Sequence, residues 1–457
     1  MKFLFVHQNF PAQFLHIVRC LARIGQHEIV FITEPNDNII AGVRKVPYNP
    51  LPATSAEVHW TIRELDEAVR RGERVAAAAR NLRELGFNPD IIIGHHGWGE
   101  LLALQDVWPS IPMLGYYEFF YHTEHSDVGF DAEFPTPVDD FPRIRAKNAV
   151  NLLALAGPSR GQTPTKWQLS TYPAWAQKSI TLLPEGVDLD VCKPDSTARC
   201  APFKIGHWEI ASDQRLITYV ARDLEPYRGF HILLRALPRI LLERRDVRVV
   251  MVGGNGVSYG TPPPEGNWRD RIVAELGERL DLSRVLFPGR IPYATYIRLL
   301  QRSDAHVYLT YPFVASWSLR EALASGCAVI GSDTPPVMEF IRHEHTGLLT
   351  PFFDVDRLAD TILTVLDDHL LSTRLRTQAR EWAEANLSMP DYLAAYLELI
   401  AGLIGDRAEG LVSPQKTRPP FDDPRQSHKS KKVTGRHTVA FNDISLSQSR
   451  LRSARRR

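Results

Sequence analysis

Arg222 and Arg228 stand in the segment YVARDLEPYRGFHILLRAL, the first just after an apolar run and the second just before a helical pattern. Two guanidinium groups at a strand's carboxyl end, beside the free N–H groups of a helix start, suit a diphosphate, which guanidinium binds bidentately. A solvated ion pair with Asp223 or Glu225 is the alternative, and spacing alone does not separate the two. Glu321 lies in PFVASWSLREALASGCAVIGSD, early in a helix that follows a strand and a loop. A carboxylate there could accept hydrogen bonds from both hydroxyls of a ribose. Ser318-x-x-Glu321 also matches a capping box, and on residue chemistry alone that reading prevails.

His95 and His96 end the apolar run PDIIIGHH. Neighbouring strand residues point to opposite faces, so at most one of them reaches a cleft as a hydrogen-bond donor or acid/base group. A core or surface histidine with a local partner is the plainer alternative. Gly115–Asp140 is a long segment mixing aromatics (Tyr116, Tyr117, Phe119, Phe120, Tyr121, Phe130, Phe134) with acids (Glu118, Glu124, Asp127, Asp131, Glu133, Asp139, Asp140). Such a loop is a binding loop or lid, or a packed cover. Aromatic faces with carboxylates suit sugar rings. Gly253-Gly254-Asn255-Gly256 is a glycine-rich turn, but no GxGxxG or Walker A string occurs. The DxD strings at Asp188–Asp190 and Asp354–Asp356 lack partners that would make a metal site. Cys20, Cys192, Cys200 and Cys327 form no CxxC and no Cys/His cluster with zinc spacing, as in a reducing compartment.

The elements that must position these residues alternate βα. Strands are expected at Lys2–His7, Glu28–Thr33, Asp90–Gly94, Pro112–Tyr116, Leu152–Ala156 and Ser179–Leu183. They are expected again at Leu216–Val220, Val247–Val252, Val285–Phe287, Ala305–Tyr311, Ala328–Gly331 and Gly347–Thr350. Most are continuously apolar, as in parallel sheets covered on both faces. Helical patterns such as Pro11–Ile24, Ala56–Leu85, Phe230–Arg244 and Val337–His343 lie between them. Two such blocks argue two doubly wound α/β domains. The 457 residues allow two or three domains, and no run approaches the length of a membrane span. MKFLFVHQNF lacks a leader's long apolar core and reads as a first buried strand. Residues 411–457 hold 12 Lys/Arg against 3 Asp/Glu, while the whole chain carries only +1. That tail is expected to be disordered and solvated, with Lys429–Lys432 and Arg450–Arg457 as clusters that could otherwise bind nucleic acid or an anionic membrane.

Taken together, the segments ITYVARDLEPYRGFHILLRAL, VRVVMVGGNG, VLFPGRIPYATYIRLL and SLREALASGCAVIGSD resemble retaining glycosyltransferase family 4. PDIIIGHHGWGE and ITLLPEGVDLDVCKP do so too, in matching order over about residues 1–405. The resemblance implies the GT-B fold: two Rossmann-like domains facing across a cleft, plus the basic C-terminal tail. The expected division is an acceptor-side domain over 1–187, a linker over 188–202 and a nucleotide-sugar-binding domain over 203–388. A final helix over 389–405 would return to the first domain, with the tail over 406–457.

It further implies that Arg222 and Arg228 meet the donor diphosphate, with arginine where the family usually has lysine at the second place. Gly289, Arg290 and Ile291 would lie against the base. Glu321 would hold the ribose, a role the resemblance favours over the capping box, and His95 would stand near the transferred sugar. Two departures are clear. Phe313 occupies the place of the family's first acid, so contacts to the sugar would come from Ser316, Trp317, Ser318 or nearby backbone N–H groups. HQNFPAQF replaces the usual glycine pair, although Pro11 still suits a helix start.

The implied reaction is retaining transfer of a sugar from a nucleoside diphosphate to a hydroxyl, in polysaccharide or glycoconjugate synthesis. Neither a metal nor a cofactor beyond the donor is expected. Acceptors would be sugars, lipid-linked molecules or small metabolites, and no specific nucleic acid is expected. The location would be cytoplasmic, or peripheral at the membrane's inner face. A nucleotide-sugar epimerase, a phosphorylase, or a non-catalytic nucleotide-sugar binder are the rivals, the last suggested by Phe313.

Overall fold

Seven short runs between residues 2 and 182 join into one parallel sheet. They are β1 (Lys2–Val6), β2 (Glu28–Thr33), β3 (Val43–Pro47), β4 (Ile91–His95), β5 (Met113–Tyr116), β6 (Arg160–Thr163) and β7 (Ile180–Leu182). The spatial order is β3-β2-β1-β4-β5-β6-β7. The computed structural model describes residues 1–157, 159–405 and Leu411. The expected basic tail, Leu411 excepted, lies outside the described residues.

The burial pattern explains the continuous apolar runs. Phe3, Leu4, Phe5 and Val6 are all fully buried. Phe3 and Phe5 pack with Phe14, Ile17 and Tyr396 on one side of the sheet. Leu4 and Val6 pack with Val75, Ala76 and Ala79 of the helix Arg63–Glu84 on the other. A strand covered on both faces has no polar side to show.

A two-stranded hairpin, β8 (Phe203–Ile205) and β9 (Trp208–Ile210), precedes the second sheet. That sheet comprises β10 (Arg215–Asp223), β11 (Val247–Gly254), β12 (Val285–Gly289), β13 (Ala305–Tyr308), β14 (Val329–Ser332) and β15 (Leu348–Thr350). It is parallel, in the order β12-β11-β10-β13-β14-β15. In both sheets the first strand lies between the second and the fourth. The chain therefore reverses its winding beside β1 and β4, and again beside β10 and β13, where open α/β sheets leave a crevice for ligands.

The helix Met389–Ile404 crosses back to the first half. Met389, Tyr392, Tyr396 and Ile400 are buried against the β1 side of that core, and Gln162 Nε2 donates to Tyr396 Oη at 2.6 Å. The bridge between Val187 and Ser388 marks the two crossings side by side.

Three local expectations fail. Leu152–Ala156 is not a strand but the end of the helix Ala149–Ala156, with Leu152 and Leu153 exposed. The neighbouring strand is Arg160–Thr163, too polar to stand out as a buried run. Short apolar runs do not distinguish strand from helix by periodicity. Val43–Pro47 is an additional edge strand, whose charged Arg44 and Lys45 conceal it. Val337–His343 is reduced to one turn, Pro335–Met338.

Candidate active site in the interdomain cleft

The ends of β1 and β4 in the first half, and of β10 and β13 in the second, line one cleft of 3230 Å³. Arg228 enters it from the turn Pro226–Arg228. Gly229 closes that turn at φ 69°, and a Cβ there would stand 2.3 Å from Leu309 Cβ. Glycine is therefore required by both backbone and space. Arg228 is buried, and its Nη1 donates to Thr310 Oγ1 and the Val314 carbonyl, both at 2.7 Å. Its guanidinium lies 4.7 Å from the Tyr259 ring centre, and that of Arg222 lies 5.6 Å from it.

The acids that could have neutralised these arginines are engaged elsewhere. Glu225 is fully buried and accepts the backbone N–H groups of Ser258 and Gly260 at 3.0 Å and of Tyr259 at 3.2 Å. It pins the loop that carries Tyr259. Asp223 accepts from Ser258 Oγ at 2.6 Å and faces Arg290 Nη2 at 3.7 Å. An ion pair of Arg222 or Arg228 with these acids, the alternative left open by spacing, is not what the side chains form.

Glu321 is no capping residue. The helix Trp317–Ala324 has Ser316 at its N-cap, without a side-chain cap bond. Glu321 instead accepts from Tyr293 Oη and Tyr296 Oη, both at 2.8 Å. Burial pushes its carboxyl up to about 7, against the two tyrosine hydrogen bonds and the nearby Arg320 charge. Arg290 and Ile291 line the same cleft, and Gly289, at φ 71°, turns the chain into them. Ser316, Trp317 and Ser318 also line it. Ser316 Oγ and Ser318 Oγ are 2.6 Å apart, and the Ser316 N–H donates to Tyr308 Oη at 2.7 Å.

Of the two histidines, His95 reaches the cleft. The Gly97 N–H donates to its Nδ1 at 3.0 Å, which leaves Nε2 protonated and facing Glu118 Oε2 at 3.6 Å. The ring stacks with Tyr116 and Trp98 and meets His7 edge-on. His96 is buried on the other side against Tyr117, and burial lowers it to about 3, so it is a neutral core residue.

Phe313 lies 4.6 Å from Phe119, 5.3 Å from Tyr259 and 5.5 Å from Tyr227, ring to ring. Its place in the cleft wall is thus aromatic. The segment after β5 crosses to the second half: Phe130 packs on Tyr311 and Phe352, and Phe134 on His231 and Trp268. Its acids fasten it. Asp127 accepts from Tyr227 Oη, Asp131 from Tyr311 Oη, and Glu133 pairs with Arg235 through two bonds. Asp131, Glu133 and His231 are the one metal-sized cluster among the described residues. Both its carboxylates already serve this latch.

Sequence reasoning missed Tyr259, Tyr293, Tyr296 and Glu185. The last, from the first half, accepts from Trp317 Nε1 at 2.8 Å and pairs with buried Arg320 at 3.3 Å. It ties the loop of Ser316–Ser318 to the other domain. Such contacts across a cleft leave no periodic trace; only the Tyr293–Tyr296 spacing of three along a helix was there to find.

The chain is similar to known proteins in sequence and in fold. A profile described as "Glycosyl transferase family 4 group" matches residues 25–192, and "Glycosyl transferases group 1" matches residues 202–382. Among similar proteins is "D-inositol 3-phosphate glycosyltransferase" of Kribbella flavida, 29% identical over 84% of this chain and 88% of that protein. Another is "Phosphatidyl-myo-inositol mannosyltransferase" of Mycolicibacterium smegmatis, 26% identical over 47% of this chain. The match spans about half of that relative, 49% of its length. Among solved structures, Anabaena Alr3699/HepE with UDP and glucose aligns at TM-score 0.63 and 16% identity, over 88% of this chain and all of that one. Sucrose-phosphate synthase from Thermosynechococcus elongatus aligns at 0.64 and 19%, over 88% of this chain and 99% of that one. The shared architecture is the GT-B fold.

Proposed function

We propose, for a chain that belongs to the family 4-like group 1 glycosyltransferases, that it moves a sugar from a nucleoside diphosphate to a hydroxyl with retention at the anomeric carbon. The observation that carries this reading is the facing of the two winding reversals. Arg222 and Arg228 end one side of the cleft, His95 and Glu118 the other, and the arginines' charge acts on the Glu118 carboxylate. Burial pushes that carboxyl up, but His95 and the two guanidinium groups outweigh it and hold it below the usual range.

In this reading Arg222 and Arg228 hold the diphosphate. They stabilise the negative charge that develops on it as the sugar leaves. Glu321 accepts the ribose hydroxyls in place of the two tyrosines. Gly289, Arg290 and Ile291 border the base. Ser316 and Ser318, at a helix start, offer their hydroxyls to the phosphate and sugar. Closure of the cleft would exclude water around the reacting carbon, and His95 Nε2–H would orient the sugar from the opposite side. The diphosphate charge is met by guanidinium groups, so the reading invokes no metal. The relatives' names point to inositol-type acceptors, a polyol whose ring hydroxyl would enter from the His95 side. No helix among the described residues is long and apolar enough to cross a membrane.

Calorimetric titration of UDP-, GDP- and ADP-sugars tests the donor pocket. One base should be preferred, and Arg222→Ala should weaken that donor by about 10- to 100-fold, the loss of one charge-assisted contact. Failure of the folded wild-type chain to bind any of them would refute the assignment. The second reading, a nucleotide-sugar binder without turnover, rests on Phe313. It predicts the same binding with no transfer.

A further inference from the structure

The transferred sugar needs a polar partner in the cleft wall, because each of its hydroxyls loses water on entry. Phe313 cannot supply one. Its ring is enclosed by Phe119, Tyr227 and Tyr259, and its carbonyl accepts from Trp167 Nε1 at 2.5 Å. The neighbouring cleft acids are already bound: Asp127 by Tyr227, Glu185 by Trp317 and Arg320, and Glu321 by Tyr293 and Tyr296. Glu118 differs. Its side chain is about one third exposed to the cleft (35%), and its carboxylate faces His95 Nε2 at 3.6 Å, too long for a closed hydrogen bond. Glu118 directly precedes Phe119, the residue that packs on Phe313, so its backbone borders the site of the missing acid.

We infer that Glu118, supplied by the opposite domain, is the carboxylate that accepts the transferred sugar's hydroxyls and sets which donor sugar the cleft takes. The inference rests on the sugar-transfer reading. A carboxylate arriving from the acceptor-side domain contacts the sugar from the side opposite the diphosphate. It selects for a hydroxyl that points toward His95, and it holds the His95 Nε2–H toward the ring. The main chain is untouched by substitution, since the Glu118 carbonyl takes its own bond from Gln168 Nε2 at 2.8 Å.

The test compares wild type, Glu118→Gln and Glu118→Asp, each checked for an unchanged melting curve. Binding of the nucleoside diphosphate alone should stay within about twofold, because Glu118 does not hold the nucleotide. Turnover of the preferred nucleotide sugar should fall by about 10- to 100-fold in Glu118→Gln, the loss of a hydrogen bond to a charged group, with partial recovery in Glu118→Asp. A series of deoxy donors gives the readout that a structural role would not move. The deoxy donor lacking the contacted hydroxyl should lose a similar factor with wild type, and little further with Glu118→Gln. If the diphosphate binds but every deoxy donor loses equally with both proteins, Glu118 is not the sugar contact and the inference falls while the transfer reading stands. If wild type binds no nucleoside diphosphate at all, the transfer reading itself has failed.

Discussion

If Glu321 holds the donor ribose as proposed, it should tie donor affinity to pH. Its carboxyl is pushed up to about 7 by burial, and its charged form is what two ribose hydroxyls would bind. The groups around it are Tyr293, Tyr296, Cys192 and Arg320, and none of the first three is ionised near neutrality to compete with it. Binding must therefore release a proton when Glu321 starts out neutral. With a folded pKa of about 7, the ionised fraction falls from about nine tenths at pH 8 to about one tenth at pH 6. Affinity for a nucleotide sugar should drop about tenfold over that interval, or about 1.4 kcal/mol. A sugar-esterified diphosphate does not titrate there, so the change belongs to the protein. Calorimetry at pH 7 in buffers of different ionisation enthalpy should show about half a proton released per donor bound. Glu321→Gln should remove both the proton release and the pH dependence, while binding more weakly than wild type at pH 8. Affinity that is flat, or that rises on acidification, would refute the role given to Glu321.

The same shift makes Glu321 a stability liability. The folded chain holds its proton from the unfolded value of 4.5 up to about 7, so stability from this group falls as pH rises through that window. Glu321→Gln should then stabilise the chain by up to about 3 kcal/mol at pH 8, and far less at pH 5, by differential scanning calorimetry. His95→Ala should abolish measurable transfer by a coupled nucleotide-release assay, whereas His96→Leu should keep it, since His96 is a neutral core side chain against Tyr117. Gly229→Ala forces a Cβ onto Leu309 at a left-handed residue; chemical denaturation should show a loss of about 2 kcal/mol or more, with weaker diphosphate binding through Arg228. Glu185→Ala leaves buried Arg320 without its carboxylate and should cost about 3 kcal/mol by the same method, where Glu185→Gln costs less.

Much of this architecture was legible because parallel strands covered on both faces must be apolar throughout. Phe3–Val6, Ile91–Ile93 and Leu216–Val220 announce themselves that way, and their carboxyl ends locate His95 and Arg222. Where strands lie at an edge or are short and polar, as at Val43–Pro47 and Arg160–Thr163, that signal is missing. Ala149–Ala156 is apolar in sequence like a buried strand although Leu152 and Leu153 are exposed, so composition misled. At the site, Arg222, Arg228, Glu321 and the Ser316–Ser318 loop could be placed by order and resemblance. That Glu321 does not cap its helix could be told only from Tyr293 and Tyr296, which come from a helix that packs beside it. Glu185 acts across the cleft, and a pairing between domains is written in tertiary structure alone.

Transfer itself is the most direct test. The preferred nucleotide sugar would be incubated with sugar and polyol acceptors, following nucleoside diphosphate release and the product's anomeric signal by proton NMR. The expected result is release matched one for one by a new glycoside with the donor's anomeric configuration. Inverted configuration, or nucleotide released with no acceptor consumed, would contradict retaining transfer.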